Sequence, residues 1–166
     1  TLDNCGLNGN SAQRYGGGAT EVMMNNCTLS SNTAGDGGGV YIATLNNCIL
    51  TANRAQTNGG GFFWGLLNNC VLVSNVAQNS GGGVWLGTMN NCTLTGNSAT
   101  TLGGGICSPS GTLTVGDCTL DSNSADHGGG AGGNLARAVG GCERQLETIG
   151  NSRETVFDRD AGHLLS

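Results

Sequence analysis

The chain has no lysine, a single proline and only 4% aromatic residues. Charged residues make up 10%, and six arginines against eleven acids leave a net charge of -5. Nucleic acids and anionic membrane surfaces are recognised by basic patches, so this balance argues against both as partners. No apolar run approaches the ~20 residues of a membrane helix, and no membrane span is expected. Eight cysteines are present, yet no C-x-x-C pair and no ligand-rich cluster accompanies them. Neither a zinc site nor any cofactor is therefore expected. The first residues, "TLDNCGLNGN", carry no signal-peptide pattern. The 32 glycines would fit a low-complexity chain, but 37% hydrophobic residues are enough for a core. At 166 residues the length suits one domain.

What the chain does have is a phrase repeated in one phase. Cysteines recur at Cys5, Cys27, Cys48, Cys70, Cys92, Cys118 and Cys142. The pattern Leu-x-x-Asn-x-Ala begins at Leu7, Leu29, Leu50, Leu72, Leu94 and Leu120. Gly-Gly-Gly begins at Gly16, Gly37, Gly59, Gly81, Gly103 and Gly128. Three markers keeping step over six units define an internal repeat of 21–22 residues, lengthened after Cys92.

This period is too short for a helical-hairpin repeat, and the L-x-x-L-x-L of leucine-rich repeats is missing. Apolar positions alternate with period two in short runs such as Cys-Thr-Leu and Val84-Trp85-Leu86. Asn pairs, the Asn of Leu-x-x-Asn and the Gly triplets separate these runs as turn formers. Short strands joined by tight turns make one coil of a parallel β-helix, an all-β solenoid. About seven coils are expected over residues 1–141, with 142–166 a degenerate last coil and a polar cap. Nine of the 17 charged residues fall after Gly133, in keeping with that boundary. "AVGGC" (Ala138 to Cys142) and "IGNS" (Ile149 to Ser152) read as worn copies of "TMNNC" and "LTGNS". The chain opens in mid-phrase, which predicts either a segment of a longer solenoid or an end covered by another subunit.

Stacking fixes the columns. Ala19, Val40, Phe62, Val84 and Ile106 should point inward, as should Met24, Leu45, Leu67, Met89 and Val115. Asn32, Asn53, Asn75 and Asn97 should form a structural amide ladder. Cys27, Cys48, Cys70, Cys92 and Cys118 should form a structural column of small buried hydrophobes with free thiols. Cys107 lies off that column and is expected to face outward or to sit at a turn, and to react first.

Leu-x-x-Asn-x-Ala followed by Gly-Gly-Gly-hydrophobic resembles the repeats of the chlamydial polymorphic outer membrane proteins, and more broadly those of bacterial β-helix surface proteins. Leu stands here for the Phe of F-x-x-N, and the third small residue is Gly. The resemblance covers Leu2 to Gly133. It implies a right-handed helix, in line with the usual hand of parallel crossovers. It also implies an exported, bacterial surface location and an adhesive or structural, non-catalytic role.

Tyr41, Phe63 and Trp85 follow the same Gly triplet in three successive coils and should stand in an outward aromatic stripe, with Thr20 and Cys107 in the same column. A contiguous stripe suggests a binding surface for a glycan, a host surface or a second copy of the chain. Side-by-side or end-to-end self-assembly into filaments and carbohydrate binding or cleavage are the alternative functions. Outward pairs beside each Leu, such as Thr28/Ser30 and Thr93/Thr95, resemble ice-binding faces, although β-propensity alone favours those residues. Catalysis is not expected. Asp121 with Asp117 or Asp126 would be the carboxylate pair for glycoside chemistry, but no neighbouring coil repeats it. His127 beside Asp126 lacks a nucleophile, and His163 stands alone.

Overall fold

The computed structural model describes residues 1–109 and 114–126, together with the backbone of three further strands, Ile149–Gly150, Val156–Asp158 and His163–Leu165. Beyond each Gly triplet the chain enters a strand. In three coils it is continuous over seven residues: Ala19–Asn25, Val40–Asn46 and Phe62–Asn68. In the next two it is split, into Val84–Trp85 with Thr88–Asn90, and Ile106–Cys107 with Thr114–Gly116. A three-residue strand then carries each repeated Leu, from Gly6–Asn8 to Thr119–Asp121. A two-residue strand carries the Ala of the motif, from Thr33–Ala34 to Ser124–Ala125.

Strands of the coils pair in parallel with their own copies in the neighbouring coils, whereas Val156–Asp158 and His163–Leu165 pair antiparallel with each other. Leu7 pairs with Leu29, Leu29 with Leu50, Leu50 with Leu72, Leu72 with Leu94 and Leu94 with Leu120. The register follows the repeat even across the longer interval after Cys92. The result is the expected parallel β-helix, three parallel sheets wound into one solenoid. Six strands in the Leu sheet make five full turns among the described residues. Cys142 of the seventh coil lies outside them. One pairing differs from the sequence reading. Ile149 stands opposite Val115, in the Met24 column, and not in the Leu column that its likeness to "LTGNS" implied. Local similarity of four small residues did not fix which sheet they join.

Corners are made by single residues in the left-handed region. The Asn before each of the first five column Cys has φ between 50° and 54° (Asn4, Asn26, Asn47, Asn69, Asn91). Asn tolerates this region better than other non-glycine residues. Another corner is the first Gly of each triplet; Gly59 has φ 66°. The second Gly is required for a different reason: a Cβ on Gly60 would overlap the carbonyl oxygen of Gly82 in the next coil and the backbone of Val76. A further corner holds Glu21, Ile42, Trp64 and Leu86, with φ of 52°, 54°, 64° and 54°. This corner has no glycine signature in the sequence.

The core is the set of expected columns. Met24, Leu45, Leu67 and Met89 are fully buried, as are Val40, Phe62, Val84 and Ile106 and the four Leu from Leu29 to Leu94. Each such side chain contributes about 1.5–3 kcal/mol by leaving water.

Candidate functional site

Tyr41, Phe63 and Trp85 do stand in line on the outside of the solenoid. In-register pairing of Tyr41 with Phe63 and of Phe63 with Trp85 brings their rings together. The Tyr41 and Phe63 centroids are 4.8 Å apart with 22° between planes; Phe63 and Trp85 are 6.2 Å apart at 25°. All three are half-buried. Tyr15 extends the row: it stacks on Tyr41 at 4.5 Å and 28°. It was missed because it comes from a different position of the repeat, just before the first Gly triplet, opposite Asp36. Its ring occupies the end of the row where Thr20, the backbone partner of Tyr41, offers only a small side chain. The signal available in the sequence was an aromatic residue one step before a corner, next to a gap in the aromatic column.

Trp64 is 56% exposed on the corner column beside the row. A bulky residue with positive φ is uncommon and costly, so its position is held by the pairing of Phe63 and Gly65 on either side. Burial, then Tyr15, Asp36 and Glu21, push the Tyr41 hydroxyl above its ordinary pKa. Both carboxylates therefore lie near the Tyr15–Tyr41 end.

Cys107 closes the row at the other end, opposite Trp85, but not as expected. It is fully buried and disulfide-bonded. An off-column position did not mean an outward one: with Ile106 and Ser108 also buried, the strand is covered there on both faces. Cys107 cannot be the fastest-reacting thiol.

The cysteine column is free from Cys5 to Cys118, and Cys27, Cys48, Cys70 and Cys92 are buried. Each thiol is engaged. Cys92 Sγ donates to the Asn90 and Leu67 carbonyl oxygens, and Cys118 Sγ accepts from the Cys92 backbone amide at 3.2 Å. Burial pushes Cys27 above the usual thiol range. Further along, neighbouring thiols share hydrogen bonds: Cys70 lowers Cys48 and Cys118 lowers Cys92, while Cys70 and Cys118 are raised in return. For the column taken together the direction is upward, because ionising neighbours would place two charges side by side in an apolar core.

The Asn ladder is complete. Asn32, Asn53, Asn75 and Asn97 are fully buried, and each side-chain amide donates to the next Oδ1 at 2.9–3.0 Å. A second, outer ladder runs the opposite way through the first Asn of each pair: Asn46 donates to Asn25, Asn68 to Asn46 and Asn90 to Asn68. The sequence had assigned these residues only to a turn. On the Leu sheet, Ile49 and Val71 are exposed among the Thr and Ser of the same columns. Asp121 pairs with Thr95, so no acid stands opposite it in the coil below. His127 and the side chain of His163 lie outside the described residues.

A family model described as "Periplasmic copper-binding protein (NosD)" matches residues 1–134, most of the chain. The chain belongs to the NosD family. Neither the curated proteins nor the solved structures hold a significant match. The periplasmic placement of the NosD family agrees with an exported bacterial β-helix, as the sequence reading expected. No helix among the described residues is long and apolar enough to cross a membrane. The family description also names copper. Among the described residues no three His, Cys, Asp or Glu side chains converge on a point. The soft donors among the described residues are the column thiols, which are hydrogen-bonded to backbone groups and mostly buried, the buried thioethers of Met24 and Met89, and the exposed Met23, whose strand partner is Thr44. These residues do not fit a copper centre, and no copper-binding role is assigned to them.

Proposed function

We propose that the chain is a non-catalytic β-helix module of the bacterial envelope or cell surface, and that it acts by adhesion through its outward aromatic row. The observation that carries this reading is the row itself: four aromatic rings from four successive coils, stacked on one side of a solenoid with only 4% aromatic residues in all. With the neighbouring Trp64, five of the chain's seven aromatic residues are spent on this one surface. Large rigid rings offer contact area at little entropic cost. The likeness to the chlamydial surface repeats supports the same role. No described carboxylate pair repeats across coils in a way that would favour glycoside cleavage.

The test is adsorption of the fluorescently labelled chain to intact bacterial cells and to protein-coated and polysaccharide-coated surfaces. The parent is compared with a variant carrying Tyr41→Thr, Phe63→Thr and Trp85→Thr, matched for folded fraction by circular dichroism. The reading expects the parent to adsorb and the folded variant to lose most of that binding. Equal adsorption by both, or none by the parent, removes the row from any adhesive role.

A further inference from the structure

The rings of the row spend their faces on one another. With centroids at 4.5 and 4.8 Å and planes within 28°, Tyr15, Tyr41 and Phe63 are stacked along the solenoid axis and present their edges to solvent. A sugar ring packs on an aromatic face, so a glycan laid along this row finds few faces to use. Beside the row runs a second line, the corner column Glu21, Ile42, Trp64 and Leu86. Glu21 and Trp64 are exposed, and Ile42 and Leu86 are half-buried. The surface is therefore apolar for three coils and acidic at one end. There Glu21 follows Thr20, the partner of Tyr41, and Asp36 stands opposite Tyr15. The Asp36 carboxylate already accepts from the Asn58 amide at 3.0 Å and from Thr57. The Glu21 carboxylate has no hydrogen bond or ion pair among the described residues. Residues 1–126 hold six acids against two arginines, Arg14 and Arg54.

Resting on the adhesive role proposed for this surface, we propose that its two lines dock an extended protein segment, with a Lys or Arg side chain at Glu21 and apolar side chains over Ile42, Trp64 and Leu86. Charge complementarity selects the cation, and the edge-on row selects a peptide over a sugar. Glu21 to Leu86 spans three coil steps, about 14 Å, which an extended segment of about five residues covers. A second copy of this chain laid in parallel is disfavoured, because it would set Glu21 and Asp36 against their own counterparts.

Both tryptophans of the chain, Trp64 and Trp85, lie on this surface, so its own fluorescence reports occupancy. The probes are two synthetic peptides with the same apolar residues, one ending in Arg and one in Glu, and a β-1,4-linked glucose hexasaccharide. The expected result is a tryptophan emission change with the Arg peptide, and binding at least about tenfold weaker for the Glu peptide. Glu21→Gln should weaken the Arg peptide several-fold, and added salt should do the same. The hexasaccharide should leave the emission unchanged. Saturable binding of the hexasaccharide without the Arg peptide overturns this inference and leaves the adhesive reading standing. Arg-peptide binding that Glu21→Gln does not alter also overturns it. If no probe binds and the chain adsorbs to no cell, protein or polysaccharide surface, both readings fail.

Discussion

Asn53 donates its side-chain amide to Asn75 Oδ1 at 3.0 Å, and the Asn53 backbone amide donates to the same oxygen at 3.0 Å. One carbonyl oxygen thus satisfies two buried donors of the coil before, while Asn75 itself donates to the Leu50 carbonyl oxygen and to Asn97. The same unit recurs at every described coil. A buried polar column is tolerable only when it is fully paired, and this one is.

Replacing Asn75 with Ala should therefore cost more than an ordinary cap or turn substitution. It strands the donors of Asn53 and removes a donor from Leu50 and Asn97, and each buried group left unpaired costs about 1–3 kcal/mol. The expected loss is about 3 kcal/mol or more, read as a lower urea midpoint. A change below about 1 kcal/mol would mean that water enters the corner freely.

Leu94 lies between Leu72 and Leu120 and is fully buried. Leu94→Ala should lose about 2–5 kcal/mol by leaving a cavity. Leu94→Asp should prevent cooperative folding, because an unpaired buried carboxylate costs more than typical domain stability allows. A soluble, cooperatively melting Leu94→Asp chain would show that the column is not the core.

Thiol labelling should separate the two kinds of cysteine. In the folded chain Cys27, Cys48, Cys70 and Cys92 should react slowly with a maleimide, and partly exposed Cys5 and Cys118 faster. After unfolding without reductant the six column thiols should all be modified, and Cys107 only once a reductant is added. Peptide mapping by mass spectrometry gives the answer; a disulfide between column members would contradict the free ladder.

The same thiols predict an alkaline weakness. In the folded column Cys27 is raised above the range of free thiols by burial, and Cys70 and Cys118 by their hydrogen bonds with Cys48 and Cys92. The unfolded chain releases thiol protons from about pH 8.5. At these three thiols the unfolded state then binds fewer protons than the folded one, so through them stability falls as pH rises above about 8.5 and is unchanged below it. Urea midpoints at neutral pH and one or two units above about 8.5 test this; equal midpoints would place the thiols in a wetter site.

Much of this was legible in the sequence, because a solenoid writes its register into its period. Once Leu29, Leu50, Leu72 and Leu94 are in phase, nearly equal coil lengths dictate their stacking and that of Asn32 to Asn97. Tyr41, Phe63 and Trp85 were legible for the same reason. What escaped depends on side-chain reach or local backbone rather than on period. Tyr15 joins the row from another column. Trp64 reaches the surface on a left-handed corner that no glycine marks. Cys107 is buried because its strand is covered on both faces, which the repeat does not reveal. The shift of Ile149 into the Met24 column shows the same limit: a four-residue likeness cannot choose between sheets once the period is lost.

In-register stacking, which places one coil's aromatic residue directly on the next, underlies the core, the ladders and the proposed contact surface alike. Disulfide trapping measures it most directly. Coils stand about 4.8 Å apart, within the Cα separation that a disulfide bridges, whereas two coil steps exceed it. A Tyr41→Cys, Phe63→Cys chain should form that cross-link rapidly under mild oxidation, and a Tyr41→Cys, Trp85→Cys chain should not. Peptide mapping would locate the bond. Rapid trapping of the second pair, or failure of the first in a folded chain, would contradict the stacked row and everything built on it.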